Sequence, residues 1–273
     1  MGLFNLLDPV LDFIFRPLLG IGYLGFLLIM SFLISLGIIL LTKYTTNQKL
    51  MKELRDLMKS YQDQMKEHKS NPSKVLELQK KAMEQNLEYM KHSFRTTIYS
   101  FIPVIIILGW VGSSVAYLPI AQNEQFNVTM QFSKNFQSNA TIEVPSQFEL
   151  LSNKNIPVEN DKATWNIKSQ KEGNYELIFN SGQETFSKEV FITNKLRYAP
   201  IIKRKKGIID FIYGSREGYI DTGSSAQQII LNNKPTKPLG KISLFGWQPG
   251  WLGVYILSSI IFTMGLRKML KVY

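Results

Sequence analysis

The stretch PLLGIGYLGFLLIMSFLISLGIILLT, residues 17–42, contains no charged side chain and consists almost entirely of apolar residues. A helix of about 20 apolar residues is long enough to cross the hydrocarbon core of a bilayer. Two more segments, residues 96–123 and 242–266, are also uncharged and rich in aliphatic and aromatic side chains. A core helix of a soluble protein keeps polar residues along one face, and these segments lack such a face. The sequence therefore predicts a membrane α-helical fold with three transmembrane helices.

The composition of the chain excludes several kinds of functional site. The 273 residues include no cysteine and only two histidines, so disulfides, thiolate metal sites and histidine-rich metal sites are excluded. No phosphate-binding loop, dinucleotide-binding turn, zinc-protease helix or serine-hydrolase elbow occurs. Three carboxylates, Asp210, Glu217 and Asp221, are expected to be solvated surface residues. We therefore predict that the protein is not an enzyme and that it uses no cofactor or metal.

The net charge of +11 is distributed unevenly around the predicted spans. Residues 43–95 hold twelve Lys and Arg against seven Asp and Glu, and the tail 267–273 is also basic. Basic residues close to a span favour the cytoplasmic side of the membrane. We therefore predict a multi-pass protein of the cell membrane with its N-terminus outside and its C-terminus in the cytoplasm. Two sequons in the outer segment predict glycosylation of Asn127 and Asn139.

This orientation divides the chain into seven parts. Residues 1–17 are predicted to form an amphipathic helix in the membrane plane, because polar residues recur every three or four positions in an apolar stretch. That polar stripe consists of Asn5, Asp8, Asp12 and Arg16. The other six parts are transmembrane helices at 18–42, 96–120 and 242–266, a cytoplasmic hairpin at 43–95, an extracytoplasmic β-rich domain at 121–241 and a cytoplasmic tail at 267–273.

Residues 43–95 have the spacing of two helices that form an antiparallel coiled-coil hairpin. Apolar residues recur at alternating intervals of three and four on each predicted helix, as in a coiled-coil seam. The first seam contains Met51, Leu54, Met58, Tyr61 and Met65, and the second contains Met83, Leu87, Met90 and Phe94. Asn71 is predicted to cap the second helix, with Pro72 as its first residue.

The methionines of this hairpin allow two interpretations. In the simpler one they only pack the seam between the helices. In the other, their flexible side chains form an adaptable apolar surface that captures hydrophobic segments of client proteins. The candidate client-capture residues are Met51, Met58, Met65, Met83 and Met90.

The outer segment has a different pattern from the rest of the chain. Apolar residues alternate with polar ones at Val128, Met130 and Phe132, and Asn, Ser, Gly and Pro interrupt the runs. This alternation predicts a small antiparallel, sandwich-like β domain over residues 124–194. Residues 195–241 are expected to be largely loop, including the basic run KRKK at 203–206. Because that run lies outside the cell in this topology, we predict no specific binding to DNA.

Hydroxyl groups are concentrated in the predicted cytoplasmic half of the spans. Such hydroxyls often bond to the backbone of their own helix or hold helices together. Alternatively, they line a hydrophilic groove that is open to the cytoplasm, with basic residues at its mouth. The candidate groove-lining residues are Ser35, Thr42, Lys43, Arg95, Thr96, Thr97, Ser100, Ser259 and Thr263.

The order of these elements is unusual. An outer N-terminus, an amphipathic helix, a span, a cytoplasmic hairpin and a second span together resemble the YidC/Oxa/Alb superfamily of membrane protein insertases. With three spans and the ending GWLGVYILSSIIFTMGLRKMLKVY from Gly250, the chain looks most like the small archaeal branch, which is related to the third subunit of the ER membrane complex. The resemblance covers residues 1–121 and 246–273. The β domain departs from the bacterial members, and no charge lies inside a predicted span where those members carry an arginine.

The resemblance implies insertion of nascent membrane proteins through a hydrophilic groove, without nucleotide hydrolysis. The implied partners are nascent membrane proteins, membrane lipids, the ribosome, and a small membrane partner subunit or the Sec translocon. Basic residues of the hairpin and tail are candidate contacts for ribosomal RNA phosphates, although a solubilising role is the simpler interpretation. These residues are Lys49, Lys52, Arg55, Lys59, Arg267, Lys268 and Lys271.

Two other functions remain open from the residues alone. One is a membrane-anchored structural or sensory protein whose outer β domain binds a ligand. The other is a subunit of an oligomeric channel, which requires polar stripes through the full thickness of the bilayer.

Overall fold

Three helices of the computed structural model are long and apolar enough to cross a membrane: Tyr23–Thr45, Thr97–Val115 and Trp251–Leu270. That number refers to the described residues, which are 7–208, 210, 214–243 and 245–272, without the side chains of Arg95 and Thr96. The prediction of a three-span membrane protein is therefore confirmed. The chain forms two units, Met1–Phe26 with Leu108–Leu252 and Leu27–Ile107 with Gly253–Tyr273.

The helices begin and end at residues that favour those positions. They are α1 (Asp8–Phe15), a 3-10 helix (Arg16–Ile21), α2 (Tyr23–Thr45), α3 (Gln48–Glu67), α4 (Pro72–Val115) and α5 (Trp251–Leu270). Gly22 separates the 3-10 helix from α2 with a φ of +93°, which a residue with a side chain rarely adopts. Asn71 caps α4 as predicted, because its side-chain oxygen accepts a hydrogen bond from the Lys74 N–H at 3.2 Å.

The ends of the span helices differ from the ends of the uncharged runs. The third helix begins at Trp251 rather than 242, directly after Pro249 and Gly250, which both disfavour a helix interior. It continues through Arg267 and Lys268, whose charged ends can reach the headgroup region. The second span helix, which is the last part of α4, ends at Val115. The residues that follow pair with another segment, since the Leu118 N–H donates to the Lys234 carbonyl at 2.8 Å.

Helix α4 is continuous over 44 residues and contains both the second hairpin helix and the second span. A four-residue turn, residues 68–71, connects it to α3. On α3 the predicted stripe is the sheltered face, since Met51 and Leu54 are buried and Met58, Tyr61 and Met65 are half-buried. The pairing of α3 with α4 as a coiled coil stays a prediction.

The predicted second seam on α4 is wrong. Met83, Leu87, Met90 and Phe94 are between 55% and 64% exposed. In the hairpin part of this helix, a sheltered stripe instead includes Val75, Leu78, Ala82, Gln85 and Tyr89. Both sets have heptad spacing, and the set that is sheltered includes small and polar residues. Hydrophobic periodicity therefore located an apolar stripe but did not determine which face of the helix packs.

Residues 125–231 contain a β-sandwich, which confirms the predicted β-rich domain. Its strands are β1 (Gln125–Phe132), β2 (Asn139–Glu143), β3 (Phe148–Leu150), β4 (Asn155–Pro157), β5 (Lys162–Ser169), β6 (Gly173–Ser181), β7 (Glu184–Ile192), β8 (Ile202–Arg204) and β9 (Ala226–Leu231). They form an antiparallel five-stranded sheet in the order β3-β5-β1-β9-β8 and a four-stranded sheet in the order β4-β2-β6-β7. One hydrophobic core lies between the sheets, where Trp165 of β5 meets Phe179 of β6 at 5.4 Å between ring centroids.

The prediction that residues 195–241 are mainly loop is wrong in part. Strands β8 and β9 belong to this segment and complete the five-stranded sheet, and the first two residues of the KRKK run lie in β8. Short strands with few apolar residues, such as β8, give little signal in the sequence. The strand that pairs with β8 is β9, which lies about two dozen residues further along the chain.

Two of the three carboxylates expected on the surface are buried. Glu217 forms an ion pair with Lys188, whose side chains are 2% and 0% exposed, and Glu217 also accepts a hydrogen bond from the Glu189 N–H. Strand β7 is at the edge of its sheet. Glu217 therefore pairs a backbone N–H and a lysine charge on an edge that no other strand covers. Burial lowers the pKa of Lys188, and the charge of Glu217 partly opposes that effect.

Asp210 is also buried, at 4% exposure, and pairs with Arg204 of β8 at 2.9 Å. Burial acts to raise the pKa of the Asp210 carboxyl, but the hydrogen bond from the Gly207 N–H and the Arg204 guanidinium together hold it below its usual value. The solvated-surface prediction was wrong for both residues. The partner of Glu217, Lys188, is 29 residues away in the sequence, whereas Asp210 is buried by a local turn in which the Gly207 N–H and Arg204 bind its carboxylate.

We expect Glu217→Gln to destabilise the chain by about 3–5 kcal/mol, because it leaves the buried Lys188 ammonium without a counter-charge. Denaturant unfolding of the purified chain in detergent measures the change. The double variant Lys188→Met/Glu217→Leu should recover most of that loss, and Glu176→Gln, at an exposed position, should have little effect. Equal effects of Glu217→Gln and Glu176→Gln would contradict a buried pair.

Candidate functional site

Helices α2 and α5 contact each other through their hydroxyl groups. The Ser31 and Ser258 Oγ atoms lie 2.7 Å apart, and both residues are buried. The Ser31 hydroxyl also donates to the Leu27 carbonyl at 2.6 Å. In the bilayer core no water is available to satisfy a hydroxyl, so these groups bond to their own helix and to each other.

One helical turn further along, three predicted groove residues come together. The Ser35 hydroxyl donates to the Ser259 carbonyl at 3.4 Å, and the Thr263 hydroxyl donates to the Ser35 Oγ at 3.3 Å. Ser35 is buried, whereas Ser259 and Thr263 are half-buried. The structure thus assembles part of the predicted set into a polar contact between two helices.

The contacts also show the relative direction of the two helices. The residue numbers of contacting pairs increase together along both helices, from Ser31 with Ser258 to Ile39 with Leu266. Phe32 and Phe262 meet edge to face between them at 5.5 Å. Helices α2 and α5 therefore run parallel, as the first and third spans of a three-span protein must.

The other predicted groove residues are placed separately. The hydroxyls of Thr42, Thr97 and Ser100 each donate to a carbonyl of their own helix, at distances of 2.8, 3.1 and 3.1 Å. The Lys43 side chain is exposed in the last turn of α2. The side chains of Arg95 and Thr96 lie outside the described residues. A continuous groove therefore stays a prediction.

The candidate client-capture methionines fall into two groups. Met51 is 1% exposed and Met58 and Met65 are half-buried on the sheltered face of α3. Met83 and Met90 are exposed, and with Leu87 and Phe94 they form a continuous apolar surface on α4. We call these four exposed residues the α4 stripe.

All seven candidate ribosome contacts are exposed. Four of them lie on α3, which also carries acidic residues. One of these, Asp63, forms an ion pair at 2.8 Å with Lys66, which is not a candidate ribosome contact. The other three, Arg267, Lys268 and Lys271, lie at and beyond the end of α5. Exposure permits contact with RNA phosphates but equally suits a solubilising surface.

The sequence indicated no cavity, but the structure contains one of about 420 Å³ within the unit formed by Met1–Phe26 and Leu108–Leu252. The polar stripe of α1 faces it: Asp8 accepts a hydrogen bond from the Arg216 Nε at 2.7 Å, and Asp12 accepts one from the Trp110 Nε1 at 2.8 Å. The stripe residue Asn5 lies outside the described residues. The apolar residues Val10, Phe13 and Ile14 of α1 are exposed on another face.

The charges around this cavity are held by specific partners. Burial acts to lower the pKa of Arg216, but the hydrogen bond to Asp8 and the charges of Asp8 and Asp12 outweigh it and raise that pKa. Arg16 contacts the second oxygen of Asp12 at 3.1 Å. The Tyr198 hydroxyl donates to the Gly112 carbonyl at 2.8 Å, and burial raises its pKa.

The two predicted glycosylation sites differ in accessibility. Asn139 is exposed at the start of β2, whereas Asn127 is half-buried in the middle of β1. Their modification stays a prediction. Among the described residues, no group of three or more His, Asp or Glu side chains is placed to hold a metal ion.

The profile of one protein family, described as "Integral membrane protein EMC3/TMCO1-like", matches residues 6–148, a little over half of the chain. A search of curated proteins finds no match. Two solved structures of the surface-layer protein SbsC, of domains 4 and 5 and of domains 1–6, are 14% and 9% identical over 29% and 43% of this chain. The chain spans 47% and 20% of their lengths with a TM-score of 0.24 in both cases, so neither likeness bears on its fold or function.

Because the chain lacks cysteine, engineered cysteines can test the contact between α2 and α5. We expect the double variant Ser31→Cys/Ser258→Cys to form an intramolecular disulfide in membranes, since the two Oγ atoms lie 2.7 Å apart. Leu33→Cys/Ser258→Cys is the matched control, because Leu33 is on an exposed face of the same helix. Crosslinking is read as a mobility shift on a non-reducing gel. Equal crosslinking of both pairs would contradict a specific contact between Ser31 and Ser258.

Proposed function

The chain belongs to the EMC3/TMCO1-like family of integral membrane proteins, and from this premise we propose that it inserts nascent membrane proteins into the bilayer. The family is part of the YidC/Oxa1/Alb3 superfamily, is related to subunit 3 of the ER membrane complex and is linked to membrane protein insertion. One observation carries the proposed mechanism: the apolar α4 stripe is exposed on a helix that continues into a span.

The proposed orientation has the N-terminus outside and the hairpin and C-terminus in the cytoplasm. Lys43 lies in the last turn of α2, and Arg267 and Lys268 lie in the last turn of α5. Because these two helices run parallel, their basic ends face the same side of the membrane. Basic residues that flank a span tend to stay in the cytoplasm, so the side with these basic helix ends is proposed to be cytoplasmic.

The α4 stripe is the proposed first contact for a client. Apolar surface that is exposed to water on a helix marks a binding site for another apolar segment. Methionine is flexible and adapts to partners of different shape, which suits clients of varied sequence. Met51, Met58 and Met65 lie on the sheltered face of α3, where their proposed role is to keep that helix packed.

Insertion needs no nucleotide in this mechanism, because the client supplies the driving force. Transfer of a full apolar span from water into the bilayer releases gross free energy on the order of tens of kcal/mol. The barrier is the passage of polar ends, which costs several kcal/mol for each unsatisfied group. The protein accelerates insertion by offering hydrogen bonds and charge along that passage.

The proposed passage is the hydrophilic groove formed by the nine predicted residues. Ser35, Ser259 and Thr263 form its wall at the contact between α2 and α5. Thr42, Thr96, Thr97 and Ser100 supply further hydroxyls, and Lys43 and Arg95 attract acidic client flanks at the mouth. The contacts of Ser35 with Ser259 and Thr263 support this arrangement, because a polar contact between two spans is where a client hydroxyl or amide can exchange hydrogen bonds.

The proposed partners bind the exposed basic surface and the membrane-embedded helices. Lys49, Lys52, Arg55 and Lys59 meet ribosomal RNA through its phosphates, together with the three basic residues of the tail. A small membrane partner subunit or the Sec translocon is proposed beside the spans.

We expect photocrosslinkers at Ser35, Thr97 and Ser259, and at Met83 and Met90, to trap nascent membrane proteins on translating ribosomes. A crosslinker at Lys81 is the control, since that residue is exposed away from the α4 stripe and pairs with Glu77 at 2.6 Å. Crosslinked products are identified by their client tag on a gel. If all positions trap only lipid and neighbouring helices, while positions in the β-sandwich trap a ligand, the sensory alternative is correct instead.

Replacement of the α4 stripe by glutamine at Met83, Leu87, Met90 and Phe94 should reduce client capture at least about fivefold, since roughly 1 kcal/mol of lost apolar contact suffices. Glutamine is a good helix former, so circular dichroism should be unchanged. The matched control replaces Met51, Met58 and Met65 by leucine, which preserves packing. A loss of capture only in that control would contradict the role of the stripe.

A further inference from the structure

The cavity lies at the ends of two spans. Arg16 and Leu19 on its wall precede the first span helix, and Ser113 and Ser114 are in the last turn of the second. The hydrocarbon core of a bilayer is about 30 Å thick, and lipid phosphates lie just beyond it. The cavity is therefore at the depth of lipid headgroups, on the side of the membrane that carries the β-sandwich.

Three guanidinium groups border the cavity, and two of them keep donors for a further acceptor. Arg216 contacts Asp8 through its Nε atom at 2.7 Å, so this hydrogen bond does not use its terminal NH2 groups. Arg197 lies over the ring of Phe191, with its Cζ atom 4.6 Å from the centroid. In the described part of the chain Arg197 has no carboxylate within ion-pair distance, so its N–H edge can bind an anion.

The carboxylates of the cavity do not oppose an anion as strongly as their number suggests. Asp12 uses one oxygen for Trp110 and the other for Arg16, and Asp8 is paired with Arg216. Glu189 is exposed, and its charge is screened by water and salt. Arginine donors arranged around a small cavity match the planar, multidentate acceptors of a phosphate group.

The remaining wall is apolar. Leu19, Phe191 and Leu196 line the cavity beside the charged groups. The exposed residues Val10, Phe13 and Ile14 of α1 provide an apolar face next to it, as an interfacial helix does towards acyl chains. A ligand that carries phosphate and hydrocarbon together satisfies both parts of this surface.

We propose that this cavity binds the phosphodiester headgroup of a membrane lipid, with Arg197 as its main phosphate contact and the apolar face of α1 against the acyl chains. This inference does not rest on the proposed insertase function. It assigns a role to the polar stripe of α1, in which Asp8 holds Arg216 and Asp12 holds Arg16 beside the cavity. The same phosphate chemistry could in principle be supplied by a soluble anion, and the experiment separates the two sources.

The test uses native mass spectrometry of the full chain in detergent, titrated with phosphatidylglycerol. Arg197→Gln should reduce bound lipid about fivefold, which corresponds to the loss of roughly one charge-assisted contact. Arg197→Lys should recover part of the binding, because it keeps the charge but not the guanidinium fork. Lys195→Gln, at a neighbouring exposed residue, is the matched control and should bind as the unmodified chain does.

Two further ligands identify the source of the phosphate. Diacylglycerol, which lacks phosphate, should bind weakly to all variants, and millimolar inorganic phosphate should displace little phosphatidylglycerol. Displacement by inorganic phosphate at equal strength would overturn the lipid proposal in favour of a soluble anion. Equal loss of lipid in Arg197→Gln and Lys195→Gln, or no loss in either, would also overturn it, since binding would then reflect general surface charge. An unchanged circular dichroism spectrum confirms that each variant is folded.

Discussion

The absence of water from the bilayer core is the constraint on which the rest of this structure depends. Every backbone group inside the membrane must find its partner in the same helix, which is why the three uncharged segments are helical. The same constraint acts on the side chains. Ser31, Ser35, Ser258 and Thr263 bond to one another or to carbonyls of the two helices, and in this way they hold α2 against α5.

Two exposed apolar surfaces, the α4 stripe and one face of α1, lie on helical segments that precede spans. On α4 the exposed Met83, Leu87, Met90 and Phe94 lead from water towards the membrane along one helix. On α1 the polar residues are turned towards a cavity and the apolar ones are exposed. The proposed partner is a nascent span for the first surface and a lipid for the second.

The β-sandwich has its own core and a protected edge. The ion pair of Lys188 with Glu217 and the hydrogen bond from the Lys203 ammonium to the Ser187 carbonyl at 2.8 Å satisfy the open side of β7. A free strand edge is a template for pairing with other chains and therefore for aggregation. Glu217 comes from a loop, whereas Lys203 lies in β8 of the other sheet.

The sequence by itself determined the spans, the β-rich character of the outer segment, the cap of α4 by Asn71 and the sheltered stripe of α3. These features depend on local composition and periodicity, which a helix or strand expresses without reference to the rest of the chain. Only the tertiary structure decided which face of α4 is exposed, that Glu217 is buried and that Asp8 meets Arg216. Two helix faces with the same heptad spacing are equivalent in sequence, and a buried ion pair depends on residues far apart in the chain that only folding brings together.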